Sequence, residues 1–174
     1  KYDKITEIGM VKIKDGEIID TYETFVNPQI PIPEEIIKIT GITDDMVKDA
    51  PTIEEVMPSV IEFVQDLPLV AHNANFDVGF LRYNAAPLGY EISNVVIDTL
   101  QLARDLFPEF KKFKLGKIAE NLGIEVDVAH RALDDVKTLV KVFNVMIEKL
   151  KEKDVKTIGD IDKVFKDNFN IKNA

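Results

Sequence analysis

Apolar and polar residues first recur with a short period. "KITEIGMVKIKDGEIIDTYETFV", Lys4 to Val26, holds two runs rich in Ile, Val, Thr, Tyr and Phe, with Asp15-Gly16 between them. Asp-Gly supplies the positive backbone angles of a two-residue turn, so a β-hairpin is predicted. "NPQIPIP" is a loop, because its prolines break any ladder. "EEIIKITGITDDMV" reads as a short helix, a break at Gly41, and a second short helix capped by Thr43 or Asp44. In "PTIEEVMPSVIEFVQDL" the period turns helical. Ile53, Val56, Val60, Phe63 and Val64 share one face. Thr52 and Glu55 form a capping-box pattern. Pro58 predicts a kink or a later start to the helix.

Short apolar runs and helices then alternate. "PLVAH" predicts a buried strand, and "NFDVGFLRYNAAPLG" a helix ended by Pro87 and Gly89. "NVVIDT" predicts a second short strand, followed by the helix "LQLARDLFP", stopped by Pro108. "KLGKIAENLG" is a helix with a stop at Gly123. "ALDDVKTLVKVFNVMIEKLKEK" is a long amphipathic helix, and the polar tail after it carries one weak helical segment. A hairpin followed by alternating helices and buried strands predicts an α/β fold with a mixed sheet. No internal repeat or low-complexity tract interrupts it.

Composition narrows the picture. The length of 174 residues suits one domain, and 45% hydrophobic residues suffice for a core. Cysteine is absent, which removes disulfides and cysteine-based zinc sites. No apolar run reaches membrane-spanning length, and "KYDKITEIGM" is no signal peptide. The expectation is a cytoplasmic protein without a membrane partner. A formal net charge of −9 argues against coating duplex DNA by bulk charge. It leaves room for a nuclease, which needs clustered carboxylates and only a local basic patch.

The chain has two histidines, and each stands at the entry to a helix near an Asp. His72 ends a predicted strand and precedes Asp77. His130 opens "HRALDDV" and precedes Asp134 and Asp135. Asp98 ends the strand in "VIDT". In open α/β sheets, sites gather beyond the carboxyl ends of strands, where these groups can meet. Converging carboxylates suit Mg²⁺ or Mn²⁺ and phosphoryl chemistry. A nearby histidine suits removal of a proton from water.

Each residue also has a structural reading. Asp98 fits a helix N-cap best. Asp134 fits a solvated helix face. His72 can be a satisfied core histidine, and Asn73 and Asn75 an Asx turn. The residues alone therefore reach an α/β domain with the chemistry of a metal-dependent phosphodiesterase.

"LVAHNANFDVGFL" and "HRALDD" closely resemble the second and third motifs of the DEDDh 3′→5′ exonucleases, at fitting separation. "ITGITDDMVKDAPTIEEV" and "VIDTLQLARDLFPEFKKFKLGKIAENLGI" resemble the intervening regions. Within the family, the proofreading exonuclease domains of bacterial PolC-type DNA polymerase III are most similar. The resemblance implies a ribonuclease H-like mixed sheet flanked by helices, and two divalent cations, Mg²⁺ or Mn²⁺. It implies Asp77 and Asp135 as metal ligands and His130 as general base. Thr40, Gly41, Ile42, His72, Asn75 and Phe76 match substrate-side positions. Phe76 is expected beneath the site and His72 at the cleft floor. The implied partners are a single-stranded or frayed 3′ end of DNA and the remainder of a DNA polymerase III polypeptide. Residues 1–150 would form the exonuclease domain, and 151–174 an appendage or linker toward further polymerase sequence.

One motif departs from the family. The Asp-x-Glu strand expected just upstream of "YDKITEIG" is absent, and Asp3 and Glu7 are wrongly spaced to replace it. A chain truly starting at Lys1 would leave its sheet split and fold poorly, so an incomplete record of a longer chain is expected. Glu7 falls to a structural or neighbouring role. Lys111, Lys112, Lys114 and Lys117 form a basic cluster suited to a phosphate backbone or to plain solvation. Two rival readings stand beside the DNA exonuclease: an RNA-trimming relative, and an inactive module that binds single strands or a polymerase.

Overall fold

The computed structural model describes residues 4–126 and 131–164, the side chains of 162–164 excepted. The hairpin forms as the sequence predicts. Strands β1 (Glu7–Lys14) and β2 (Glu17–Phe25) pair antiparallel, with an irregularity between Lys12 and Ile13. Asp15 and Gly16 turn the chain with φ of 53° and 83°. This double positive φ matches the right-handed twist of the strands it joins.

Two short helices follow, α1 (Glu34–Thr40) and α2 (Asp44–Val47). Gly41 ends α1 in the left-handed region, φ 71°, and its amide donates to the Ile37 carbonyl at 2.8 Å. Helix α3 (Ile53–Val64) begins at the Thr52–Glu55 capping box, where the Thr52 amide donates to the Glu55 carboxylate at 2.8 Å. Pro58 lies inside this helix and does not delay its start.

The second half supplies the parallel pair β3 (Leu69–Ala71) and β4 (Val96–Asp98), in register Leu69–Val96 to Ala71–Asp98. Helix α4 (Ala74–Ala85) and one 3₁₀ turn connect them. Helices α5 (Thr99–Leu106), α6 (Leu115–Asn121), α7 (Ala132–Glu152) and α8 (Ile158–Val164) complete the described chain. Among the described residues the four strands form two separate two-stranded sheets.

Apolar faces collect on two sides. One core gathers Ile8, Val26, Val56, Met57 and Val60 between the hairpin and α3. The larger gathers Ile97, Leu102, Ile118, Val142, Phe143 and Met146 around α7. Val155 and Ile161 are buried in that same cluster, so the described part of the expected appendage packs onto the domain. No described helix is long and apolar enough to cross a membrane.

Candidate active site

The site is built where two helices start. Asp77 is the fourth residue of α4 and Asp135 the fourth residue of α7. Both side chains lie in a first helical turn and both are exposed. The Asp135 charge helps to hold the Asp77 pKa above the ordinary carboxylate range. The largest cause of that rise is burial, because protein crowds Asp77 behind its exposed surface, and the Asp98 charge contributes ahead of Asp135.

Asp98 fixes the start of α4. Asn73 precedes the helix with φ 67°, a left-handed conformation that asparagine tolerates. The amides of Asn73 and Ala74 each donate to Asp98 at 3.1 Å. Asp98 also accepts from the Leu100 amide at 2.9 Å, capping α5. One carboxylate at the end of β4 therefore caps two helices, and the N-cap reading of Asp98 holds. Asp134, expected on a solvated face, is half-buried and close enough to Arg131 to raise the guanidinium pKa after the larger effects of Glu7.

His72 has both ring nitrogens engaged. Nε2 donates to the Phe113 carbonyl at 2.7 Å, and Nδ1 bonds the buried Thr99 hydroxyl at 3.0 Å. Burial holds its pKa below the ordinary imidazole range, although the bond to Phe113 and the Asp98 charge act the other way. The histidine at the end of β3 thus ties the strand to the loop carrying Lys111, Lys112 and Lys114, all exposed. Lys117 instead pairs with Glu120 on α6.

The remaining expected residues divide by exposure. Asn75 and Phe76 are exposed beside Asp77, and the Phe76 ring meets Phe80 at 4.9 Å between centroids. Gly41 is exposed, and the Thr40 hydroxyl donates to the Ile36 carbonyl and accepts from the Ile42 amide. Ile42 is only 2% exposed and packs with Ile32 and Val47, so its side chain supports this loop from below. Ile39, which sequence reasoning did not single out, is 65% exposed near the end of α1, just before this loop. Its only sequence signal is an isoleucine two residues before the Gly41 break. His130 lies outside the described residues.

The donors present are hard oxygens. Exposed carboxylates such as those of Asp77 and Asp135 fit a divalent cation such as Mg²⁺, which is held by one or two carboxylates and keeps several waters. Among the described residues no group of three or more potential metal ligands is assembled.

A parallel pair of short strands that leads into helices, one of which starts with Asp77, together with the likeness to Exonuclease X, marks a nuclease of the ribonuclease H-like fold. The chain belongs to the exonuclease family, whose sequence profile, described as "Exonuclease", matches residues 1–143. It is 50% identical over 162 residues to the DNA polymerase III PolC-type of Caldanaerobacter subterraneus subsp. tengcongensis, covering 93% of this chain. It is 48% identical over 164 residues to that of Clostridium perfringens, covering 92% of this chain. The chain spans only 12% and 11% of the length of these two relatives. Among solved structures, Exonuclease X in complex with 5′ overhanging duplex DNA superposes with a TM-score of 0.73 at 28% identity, over 93% of this chain and 91% of that one. The nuclease domain of 3′hExo, a DEDDh family member bound to rAMP, shares the fold with a TM-score of 0.72 at 24% identity, over 83% and 81% of the two chains.

Proposed function

We propose that this domain is the proofreading 3′→5′ exonuclease of a PolC-type DNA polymerase III, hydrolysing the terminal phosphodiester of a frayed DNA 3′ end. The observation that carries this reading is the placement of Asp77 and Asp135 in the first turns of two helices, with the Asp135 charge felt at Asp77. The likeness to PolC-type polymerases over most of the chain supports it.

Two divalent cations, Mg²⁺ or Mn²⁺, would serve the reaction, and Asp77 and Asp135 would hold the one between them. When bound, such cations lower the pKa of water and neutralise charge at the phosphate. The chain's own residues do the rest. Asp77 and Asp135, held by capped helices, present their carboxylates in one place. His130 removes the proton of the attacking water. The water oxygen bonds to phosphorus as the bond from phosphorus to the 3′ oxygen breaks, the 3′ oxygen takes up a proton from solvent to become the new 3′ hydroxyl, and a nucleoside monophosphate leaves. Asn75, Phe76, Thr40 and Gly41 contact the terminal nucleotide, with Ile42 supporting their loop, His72 holding the floor beneath it and the lysine loop beside it. A paired end must unpair before it can enter, which favours mismatched ends.

The test is release of mononucleotides from a 3′-mismatched primer in Mn²⁺. Cleavage is expected, faster than on a matched primer, and lost in His130→Ala. An enzyme that trims an RNA strand and spares the DNA primer would move the reading to RNA. Binding of single strands without any cleavage would leave a binding module in its place.

A further inference from the structure

Strand β1 opens with a carboxylate, Glu7, ahead of an apolar run. Its side chain is 5% exposed, and a glutamate is rarely so buried unless paired. Three donors satisfy it. Arg131 donates from Nε at 2.8 Å and from Nη2 at 2.6 Å to Oε1, while the Ala132 amide donates to Oε2 at 3.0 Å. The guanidinium also lies 4.8 Å from the centre of the Phe25 ring, which faces it from β2.

These contacts meet the start of the helix that carries Asp135. The Ala132 amide is one of the amides a helix leaves without an internal partner. Arg131, the residue at the cap position of α7, gives no side-chain cap bond of its own. Glu7 supplies that cap from another strand. The Arg131 carbonyl in turn accepts from the Asp135 amide at 3.0 Å. Two residues along β1, Gly9 presses on the same turn: a β-carbon there would lie 2.8 Å from the Ala132 carbonyl carbon and the Leu133 nitrogen. Asp98 caps α4 from the end of β4 in the same manner. Each helix bearing a site carboxylate is therefore seated on a strand-borne carboxylate.

We propose that Glu7 is a positioning residue, whose bonds to Arg131 and the Ala132 amide set the first turn of α7 and hold the Asp135 carboxylate in place opposite Asp77. The role in turnover rests on the exonuclease reading of Asp135. The alternative is a purely structural ion pair, and the same helix offers an internal control. At the far end of the contact between α7 and the hairpin, Asn144 Nδ2 donates to the Gly16 carbonyl at 2.9 Å.

The experiment compares Glu7→Gln, Arg131→Lys and Asn144→Ala in the full-length native polypeptide. Steady-state release of mononucleotides, thermal midpoint, and hydrogen–deuterium exchange of the peptide spanning residues 131–136 are measured. For Glu7→Gln we expect kcat to fall roughly ten- to a hundredfold with KM for the primer changed by less than about twofold, as small misplacement of a reacting group does. Exchange at 131–136 should accelerate. Asn144→Ala should lower the midpoint and leave kcat alone. Wild-type kcat in folded Glu7→Gln overturns the proposal, and so does an equal loss of kcat in Asn144→Ala. If Glu7→Gln does not fold, Arg131→Lys decides, since it keeps the charge and the Ala132 cap but loses the second donor: reduced kcat supports the assignment and wild-type kcat refutes it. If the unmodified polypeptide releases no nucleotides, the exonuclease reading fails and exchange alone decides the positioning: acceleration at 131–136 sustains it, and unchanged exchange overturns it.

Discussion

His72 and Asp77 sit five positions apart and respond to their surroundings in opposite directions. Burial lowers the His72 pKa in the folded chain. The unfolded chain therefore takes up a proton on this ring first as pH falls below about 6.5. Stability is intact above that value and is lost as pH falls toward the lower folded pKa. Thermal midpoints should decline on acidification, and His72→Gln should remove part of that slope. The Asp77 pKa is raised, first by burial and then by Asp98 and Asp135. Its ionisation at neutral pH thus works against folding. Asp77→Asn should raise the thermal midpoint in metal-free buffer, where the wild type should gain from added Mn²⁺ and the variant should gain less. The same substitution should reduce cleavage by more than the roughly 10–100-fold typical of groups outside the ligand set. The sequence shows why these residues stand out but not what they touch. The partners of His72 are Thr99 and Phe113, far along the chain, and no local pattern names them. Ile42 shows the converse, since an apolar residue beside a glycine break reads equally as a contact or as core, and here it is core.

Elements were legible wherever their cause is local. Asp15-Gly16 writes the hairpin turn, Thr52 with Glu55 writes the start of α3, and Gly41 writes the end of α1. What was not legible is how helix starts are held from elsewhere in the chain. Asp98 reads as the cap of α5, but its bonds to Asn73 and Ala74 appear only once β3 and β4 pair. Asp98→Ala should cost about 1–2 kcal/mol, the usual worth of a lost cap or somewhat more, because two helices lose their acceptor. Urea denaturation checks it. Gly9 follows the same logic. Its missing side chain is invisible in an otherwise regular strand, yet backbone atoms of Ala132 and Leu133 occupy the space a β-carbon would need. Gly9→Ala should destabilise by about 1–3 kcal/mol, as overpacking does, and calorimetry would show an unchanged midpoint if the contact were loose.

At the scale of the molecule, the described residues gather their largest apolar cores in two clusters, one against the hairpin and α3 and one around α7. Helix α7 is engaged at both of its ends. Its first turn carries Asp135, and its last turns bury Met146 and Leu150 in the cluster that also takes Val155 and Ile161. Val155→Asp should therefore lower the thermal midpoint as a core substitution would, with residues 151–161 losing protection from proteolysis together. The helix is 21 residues long, with one continuous run of backbone bonds, and so spans on the order of 30 Å. A rod of that length is stiff along its axis and has little give except at its ends. Force applied to the chain beyond Ile161 reaches Val155 and Leu150 first, and the rod delivers it to the turn that carries Asp135. The helix is thus a strut, and whatever pulls on its far end shares a mechanical line with the turn that carries Asp135.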